Sequence, residues 1–182
     1  QEFLSIAKTD EINTEQKNIY QIYKNVVSLM NTKAIMTNIQ VELYTDTKDI
    51  SIECSENQLK QVFINILQNS IEAMPNGGKI AIHLKEIKDE GVIIHVIDEG
   101  IGIPEERIKR LGEPFYSTKE KGTGIGLMLS YKIIESHQGK ISIMSEVGVG
   151  TTVTIYLPKV QIKESLSNCD DTCISIRSSI NS

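Results

Sequence analysis

Three short clusters contain seven of the twelve glycines in this 182-residue sequence: Asp98–Ile103, Gly122–Leu127 and Gly148–Thr151. The middle cluster comes directly before a segment with helical periodicity, where unpaired backbone N–H groups and the positive end of the helix dipole attract an anion. Because glycine has no Cβ, a phosphate can approach its backbone closely. The cluster therefore indicates a phosphate site, with an ordinary surface loop as the alternative.

Two common phosphate-binding motifs are excluded. A P-loop requires Ser or Thr after Gly-Lys, whereas the Gly-Lys pairs at 78–79 and 139–140 are each followed by isoleucine. A Rossmann turn requires G-x-G-x-x-G directly after a strand, and segment 122–126 follows a polar loop with a different glycine spacing. Any phosphate site must therefore be of another kind.

Amide side chains follow one face of a predicted helix. Asn65 and Asn69 are four residues apart and share that face, which also carries Gln58, Gln61, Gln68 and Glu72. A solvated helix face is the alternative, although such faces usually carry lysine and glutamate rather than amides. An amide carbonyl oxygen is a hard, neutral ligand that suits Mg²⁺ beside nucleotide phosphates.

Asp98 ends an almost continuous apolar run and opens a glycine turn. An ionised carboxylate only accepts hydrogen bonds, so it favours adenine, which offers an exocyclic amine, over guanine, which offers a carbonyl there. A turn-forming aspartate before glycine is the alternative interpretation.

Periodicity predicts the elements that must position these residues. Apolar residues at helical spacing predict helices over about 16–31, 56–74 and 125–137, with a short helix over 104–111 that has Pro104 at its first position. The pattern Ser55-Glu-Asn-Gln58 is typical of a capping box. Alternating or continuous apolar residues predict strands over 39–43, 50–52, 80–84, 91–98, 141–143 and 153–157. We therefore expect an α/β fold, a two-layer sandwich with a mixed sheet covered on one side by helices and the strand before Asp98 near its centre.

The composition is typical of one globular domain, with 40% hydrophobic and 24% charged residues. A net charge of −5 argues against a dedicated nucleic-acid-binding protein. The sequence has neither a signal-peptide profile nor the apolar stretch of roughly 20 residues that a membrane span requires. Its three cysteines do not form a disulfide framework and suit a reducing cytoplasm. Cys169 and Cys173 lie in a polar tail, which we favour over a metal site.

The order of the motifs resembles the ATP-binding domain of bacterial sensor histidine kinases, which belongs to a group shared with gyrase, Hsp90 and MutL. The resemblance covers about residues 56–158 and rests on the amide helix, the Asp-x-Gly-x-Gly turn and the segments Glu113–Lys119, Gly122–Leu127 and Gly148–Thr151. Five motifs in this order are far more specific than any one alone. The subgroup that the sequence resembles is the sporulation kinases.

The resemblance implies roles for three polar side chains. Asp98 would bind the adenine amine, and Asn69 would coordinate Mg²⁺. Asn65 takes the position of the glutamate that activates water in gyrase-type hydrolases. An amide cannot accept that proton, so hydrolysis should be weak and the phosphoryl group kept for transfer.

The resemblance also implies an ATP pocket and a lid. Gly100 and Gly102 would form the pocket floor, Phe115 would hinge or anchor the lid, and Thr152 would face the adenine. Glu72 stands where many such kinases have a lysine or arginine. The remaining residues implied are the lid cations Lys119 and Lys121, the triphosphate-wrapping Gly122, Thr123, Gly124 and Gly126, and the pocket positions Ala73, Ile103, Ile125 and Leu127.

The sequence also contains no recognisable phospho-acceptor, since His83, His95 and His137 lack the acidic neighbour and following proline of such motifs. We therefore expect residues 1–14 to be the end of a dimerisation helix and a linker, 15–160 the catalytic domain and 161–182 a polar, disordered tail. The implied partners are the kinase's own dimerisation domain, which carries the acceptor histidine, a response regulator and a kinase inhibitor protein. We expect a cytoplasmic domain without nucleic-acid or membrane contact, whether or not the whole kinase is anchored in a membrane.

Two alternatives stay open. An anti-sigma-factor serine kinase has the same fold but normally lacks a preceding dimerisation helix. The helical character of residues 1–30 therefore disfavours this alternative. A nucleotide-binding module without transfer activity would use the same pocket as a docking surface.

Overall fold

Helices and strands alternate along the part of the chain that the computed structural model describes, residues 13–111 and 125–160. The predicted helix end and tail, at 1–12 and 161–182, lie outside these ranges. In chain order the described elements are β1 (Glu15–Asn18), α1 (Ile19–Met36), β2 (Ile39–Thr45), β3 (Ser51–Cys54), α2 (Glu56–Glu72), β4 (Gly78–Ile87), β5 (Gly91–Asp98), α3 (Glu105–Ile108), α4 (Ile125–Ser136), β6 (Lys140–Glu146) and β7 (Gly150–Pro158).

The main sheet has five strands in the order β2-β4-β5-β7-β6. The pair β2–β4 is parallel and the other three pairs are antiparallel, so the sheet is mixed, as expected. Strand β5 lies at the centre, which confirms the prediction from its apolar run and places Asp98 at the end of the central strand.

One face of the sheet is buried under helices. Residues 92, 94 and 96 of β5 are buried and belong to one hydrophobic core with the apolar stripe of α2, whereas Ile97 and His83 face outward and are exposed. Helices α1 and α4 each pack against α2, so α2 is the middle helix of its layer. Tyr23 of α1 stacks on Phe63 of α2 with ring centroids 3.9 Å apart. The two-layer α/β sandwich is confirmed.

The first helix differs from its prediction because residues 15–18 form a strand. β1 pairs antiparallel with β3, and the Asn18 side chain accepts a hydrogen bond from the N–H of Gln21 at 3.2 Å, so α1 begins at Ile19. Glu15–Asn18 is polar throughout, and a polar edge strand carries no apolar alternation that periodicity could detect. The helix also continues to Met36, five residues beyond the expected end.

The predicted short helix is shorter than expected. α3 covers Glu105–Ile108, and Pro104 is its N-cap rather than its first helical residue. The Pro104 carbonyl accepts from the N–H groups of Arg107 and Ile108 at 2.9 and 3.1 Å, so the proline stands just outside the helix that it starts.

The predicted capping box at the start of α2 is wrong, because Ser55 caps the helix without a side-chain hydrogen bond. Its backbone N–H instead donates to Nε2 of His137, 3.0 Å away. Nδ1 of the same ring donates to the Ile133 carbonyl at 2.7 Å, which fixes a neutral imidazole with both nitrogens engaged. The fully buried His137 thereby joins the residue after α4 to the residue before α2.

The stability of this link should depend on pH. Burial lowers the pKa of His137 from its ordinary 6.5, so the unfolded chain binds this proton more readily than the folded chain. The link's contribution is complete above about pH 6.5 and is lost as the pH falls below it, at up to about 1.4 kcal/mol per pH unit until the folded-state pKa is reached.

Urea unfolding of wild type, His137→Gln and the exposed control His83→Gln between pH 7.5 and 5.5 measures this effect. We expect His137→Gln to be less stable at pH 7.5 but to lose less stability on acidification than wild type and His83→Gln. Identical pH slopes in all three proteins would contradict the assignment.

Candidate functional site

A buried carboxylate, that of Asp98, lies where β5 ends, and its side chain is 5% exposed. Its Oδ1 accepts hydrogen bonds from the backbone N–H groups of Gly100 at 3.0 Å and Thr151 at 3.2 Å. The Ser70 hydroxyl of α2 donates a third hydrogen bond to the same carboxylate. An ionised carboxylate has about four acceptor positions, so the donors within 13–111 and 125–160 leave about one position for a further donor.

The electrostatics of Asp98 are a balance between burial and these donors. Burial raises the pKa of Asp98 because water no longer solvates the charge, and the hydrogen bonds from Ser70, Gly100 and Thr151 oppose that rise. One further donor at this carboxylate would add to the compensation that the three existing donors provide.

The turn after Asp98 is packed against the C-terminal end of α2. A Cβ on Gly100 would lie 2.7 Å from the Ala73 Cβ and 2.8 Å from the Asp98 Oδ1, so only glycine fits there. The N–H of Ile101 donates to the Ala73 carbonyl at 2.9 Å, which fixes the turn to the helix. The expected residues Ala73, Gly100 and Asp98 are therefore brought together.

The same turn is also fixed to the β6–β7 hairpin. Gly102 has φ +72°, and a Cβ there would overlap the Glu146 carbonyl. The N–H of Ile103 donates to Oγ of Ser145 at 2.8 Å, and the Ser145 and Thr151 hydroxyls are 2.8 Å apart. Gly102 and Ile103 therefore lie in a loop held between the end of α2 on one side and the β6–β7 hairpin on the other.

The structure does not bring Thr152 to Asp98. Successive strand residues face opposite sides of a sheet, and in β7 the residues at 151, 153, 155 and 157 are buried on the helix side. Thr152, paired with Ile97, faces the outer side, so the expectation that it faces the adenine is corrected. Thr151, rather than Thr152, lies next to the Asp98 carboxylate and donates its backbone N–H to it. The alternation of side chains along β7 could have identified Thr151 from the sequence. Nothing in the sequence pointed to Ser70 except its position next to Asn69.

The amide helix faces α4. Nδ2 of Asn65 donates to Oγ of Ser130 at 3.0 Å, and a Cβ on Gly126 would overlap Asn65 Oδ1. Asn69 is one turn further along α2, directly before Ser70, so it lies between this contact and the Asp98 contact. The polar stripe predicted from sequence therefore spans both groups of candidate residues.

Glu72 is paired with a cation from another helix. Nζ of Lys33, on α1, lies 3.9 Å from the Glu72 carboxylate, and the Gln68 amide also donates to that carboxylate. Both ionic side chains are more than a third exposed, so the pair adds little stability. It does place a lysine next to the position where the resemblance leads one to expect a cation.

Six expected site residues, Phe115, Lys119, Lys121, Gly122, Thr123 and Gly124, lie outside the described residues. Ile125 and Leu127 open α4, where Ile125 is 42% exposed and Leu127 is half-buried. Among the residues that the structure describes, no three His, Cys, Asp or Glu side chains form a metal cluster. A Mg²⁺ ion among them would therefore need other ligands, such as amide and phosphate oxygens.

A family model described as histidine kinase-, DNA gyrase B- and HSP90-like ATPase matches residues 54–161. The chain belongs to this family. The match covers the elements that form the site, which are α2, the Asp98 turn, α4 and the β6–β7 hairpin. The family is described as ATPases, so ATP is the nucleotide that this family binds.

The chain is also similar to individual histidine kinases. It is 50% identical over 167 residues to sporulation kinase E of Bacillus subtilis, covering 92% of this chain and 23% of that protein. It is 33% identical to the nucleotide-free catalytic domain of the histidine kinase ThkA, with a TM-score of 0.75 over 82% of this chain and 98% of that domain. A structure of ThkA in complex with the response regulator protein TrrA matches with 31% identity and a TM-score of 0.72, covering 82% and 43%.

This chain thus spans about a quarter of sporulation kinase E but nearly the whole ThkA catalytic domain. The family match and these similarities identify the chain as an ATP-binding catalytic domain of the histidine-kinase type.

The balance at Asp98 predicts that two substitutions there differ in their effect on folding stability. Asp98→Ala leaves three donors without an acceptor and should lower the free energy of unfolding by about 1–3 kcal/mol. Asp98→Asn keeps the accepting oxygen and removes the buried charge, so its stability at pH 7 should stay within about 0.5 kcal/mol of wild type or rise. Urea denaturation compares the two, and an Asn variant as unstable as the Ala variant would contradict this account.

Proposed function

We propose that this chain is the part of a sensor histidine kinase that binds Mg·ATP and delivers the γ-phosphoryl group to a histidine of a dimerisation domain. The observation that carries the proposal is the buried Asp98 carboxylate, to which the described residues give three donors and leave about one acceptor position, in a fold of the histidine-kinase ATPase family. We further propose that the domain works in the cytoplasm. No helix in the described ranges is long and apolar enough to cross a membrane.

In this proposal Asp98 reads the base. Its remaining acceptor position takes the exocyclic amine of adenine, and guanine would place a carbonyl oxygen against the carboxylate. The donors from Ser70, Gly100 and Thr151 hold the carboxylate in one orientation, so little freedom is lost when the base binds. The missing Cβ of Gly100 lets the turn pack closely against Ala73 and the carboxylate, which helps to hold the carboxylate in place.

The triphosphate lies at the other end of the amide stripe. Asn69 supplies an amide oxygen to Mg²⁺, which neutralises phosphate charge when bound. Gly122, Thr123, Gly124 and Gly126 wrap the phosphates beside the cations Lys119 and Lys121, and Phe115 anchors the same segment. Ile125 and Leu127 continue the segment into α4. Ile103 and Ala73 close the base end.

Asn65 favours transfer over hydrolysis. An amide has no basic lone pair that could take a proton from water, so the position does not activate a hydrolytic nucleophile. The γ-phosphoryl group is then kept for an incoming imidazole, and catalysis rests on position and charge neutralisation.

The acceptor histidine belongs to another domain in this proposal. His137 is buried with both ring nitrogens bonded, and His95 Nδ1 lies 3.0 Å from the Thr154 hydroxyl. His83 stacks on Tyr44 in the outer face of the sheet, with ring centroids 4.8 Å apart. All three histidines of the sequence therefore have structural contacts.

The further partners are proposed from the relatives. The ThkA structure with TrrA supports a response regulator as the protein that receives the phosphoryl group from the acceptor histidine. A protein that inhibits the kinase is a second proposed partner. The sporulation kinase relatives favour a sensor kinase over an anti-sigma-factor serine kinase or a docking module without transfer activity.

Nucleotide titration tests the base-binding role of Asp98. Wild type should bind Mg·ATP in preference to Mg·GTP. Asp98→Asn should weaken ATP binding by about 10–100-fold, because a hydrogen bond to a charged acceptor is lost, and its preference for ATP over GTP should fall. Calorimetry at pH 7.5 on the folded variant measures both. Unchanged ATP affinity would refute the pocket assignment.

A transfer assay tests the proposed activity. Labelled Mg·ATP is incubated with this chain and a separately purified dimerisation domain from a sporulation kinase, and the label is then followed by acid and alkali stability. We expect acid-labile, alkali-stable label on the dimerisation domain only when both proteins are present, and less label with Asp98→Asn at ATP concentrations below saturation. Tight ATP binding without any transfer would favour the docking module.

A further inference from the structure

The Asn65 side chain contacts α4 at Ser130 and at Gly126, and Ser130 is itself hydrogen-bonded to Gly126. Asn65 Nδ2 donates to Ser130 Oγ at 3.0 Å, and Ser130 Oγ donates to the Gly126 carbonyl at 3.0 Å. Ser130 is 1% exposed. Its single hydroxyl proton is committed to Gly126, so its lone pairs face the Asn65 amide nitrogen.

This arrangement fixes which way the amide points. If the Asn65 amide were turned over, its oxygen would face the Ser130 oxygen, and the serine could bond it only by withdrawing its proton from the Gly126 carbonyl. With the nitrogen on Ser130, the Asn65 oxygen lies against Gly126, where a Cβ would overlap it. One asparagine thus contacts two points of α4 that are one helical turn apart.

The contacted turn is the first turn of α4. The helix begins at Ile125, so Gly126 is its second residue and directly continues the glycine-rich segment. Whatever fixes Gly126 against α2 also fixes the end of that segment. The Asp98 contacts with Ser70, Gly100 and Thr151 share no residue with this cluster, so the two ends of the site can be perturbed separately.

We propose that Ser130 is a positioning residue that, through Asn65, holds the first turn of α4 in the pose that receives the terminal phosphate. This inference rests on the proposed function. Ser130 itself does not touch the nucleotide. Its hydroxyl increases the fraction of molecules in the binding-competent pose. When the hydroxyl is removed, that fraction falls, and the apparent affinity falls in the same proportion.

The expected signature is a loss of selectivity for the third phosphate. Ser130→Ala should lower the ratio of Mg·ATP to Mg·ADP affinity by about 3–10-fold, which matches the loss of one net hydrogen bond. It should also raise amide hydrogen exchange at residues 126–130 of the nucleotide-free chain. Ser130→Thr retains the hydroxyl and should restore both properties.

A matched control lies on the same helix. The Ser136 hydroxyl donates to the Ile133 carbonyl at 2.7 Å, and the residue is exposed. Ser136→Ala therefore removes a serine hydroxyl from α4 without touching Asn65, and its affinity ratio and exchange at 126–130 should match wild type. In an Asn65→Ala background, Ser130→Ala should have no further effect, because the coupling partner is already gone.

The outcomes separate this inference from the proposed function. If wild type binds neither nucleotide, the proposed function fails. If wild type binds Mg·ATP but Ser130→Ala keeps the wild-type affinity ratio and exchange, this inference alone is overturned. An equal loss of ATP and ADP affinity, with increased exchange along all of α4, also overturns it, because that result describes general destabilisation. Additive effects of Asn65→Ala and Ser130→Ala would do the same.

Discussion

The site depends on keeping one carboxylate charged in a place that water barely reaches. Asp98 is 5% exposed, and burial of this kind costs several kcal/mol for an uncompensated charge. Donors from three separate segments, at Ser70, Gly100 and Thr151, compensate that cost. The end of the central strand, the end of α2 and the start of β7 must therefore meet at one point, and the order β4-β5-β7 beneath α2 is what brings them there.

Helix α2 connects this carboxylate to the rest of the site. Its core face packs on the sheet, its last turn reaches Asp98 through Ser70, and its middle holds α4 through Asn65. Because α1 and α4 pack on either side of it, α2 is the middle helix of its layer. Helix α2 therefore links the contacts of Asp98 to the first turn of α4.

Much of the fold could be predicted because its elements are amphipathic and local. The stripes of α2 and α4 and the alternation in β4, β6 and β7 follow from which face meets the core. The ribbon β1–β3 could not be predicted, since residues 15–18 are polar and their partner lies more than thirty positions away. The Ser55-to-Gln58 pattern predicts a capping box that the structure lacks, because a local pattern cannot show that His137, 82 residues later, accepts the Ser55 N–H.

The sequence by itself determined the chemical inventory: an aspartate ending an apolar strand, amides four residues apart on a helix, and glycines where a backbone must come close. Those features depend on residue type and on spacings of a few residues, which local geometry fixes. Only the tertiary structure decided that Thr151 rather than Thr152 faces the carboxylate, and that Asn65 is held by Ser130. The alternation along β7 could have given the side that Thr151 faces, but the contacts of Thr151 with Asp98 and of Ser130 with Asn65 depend on how elements more than fifty residues apart pack together, which no local pattern encodes.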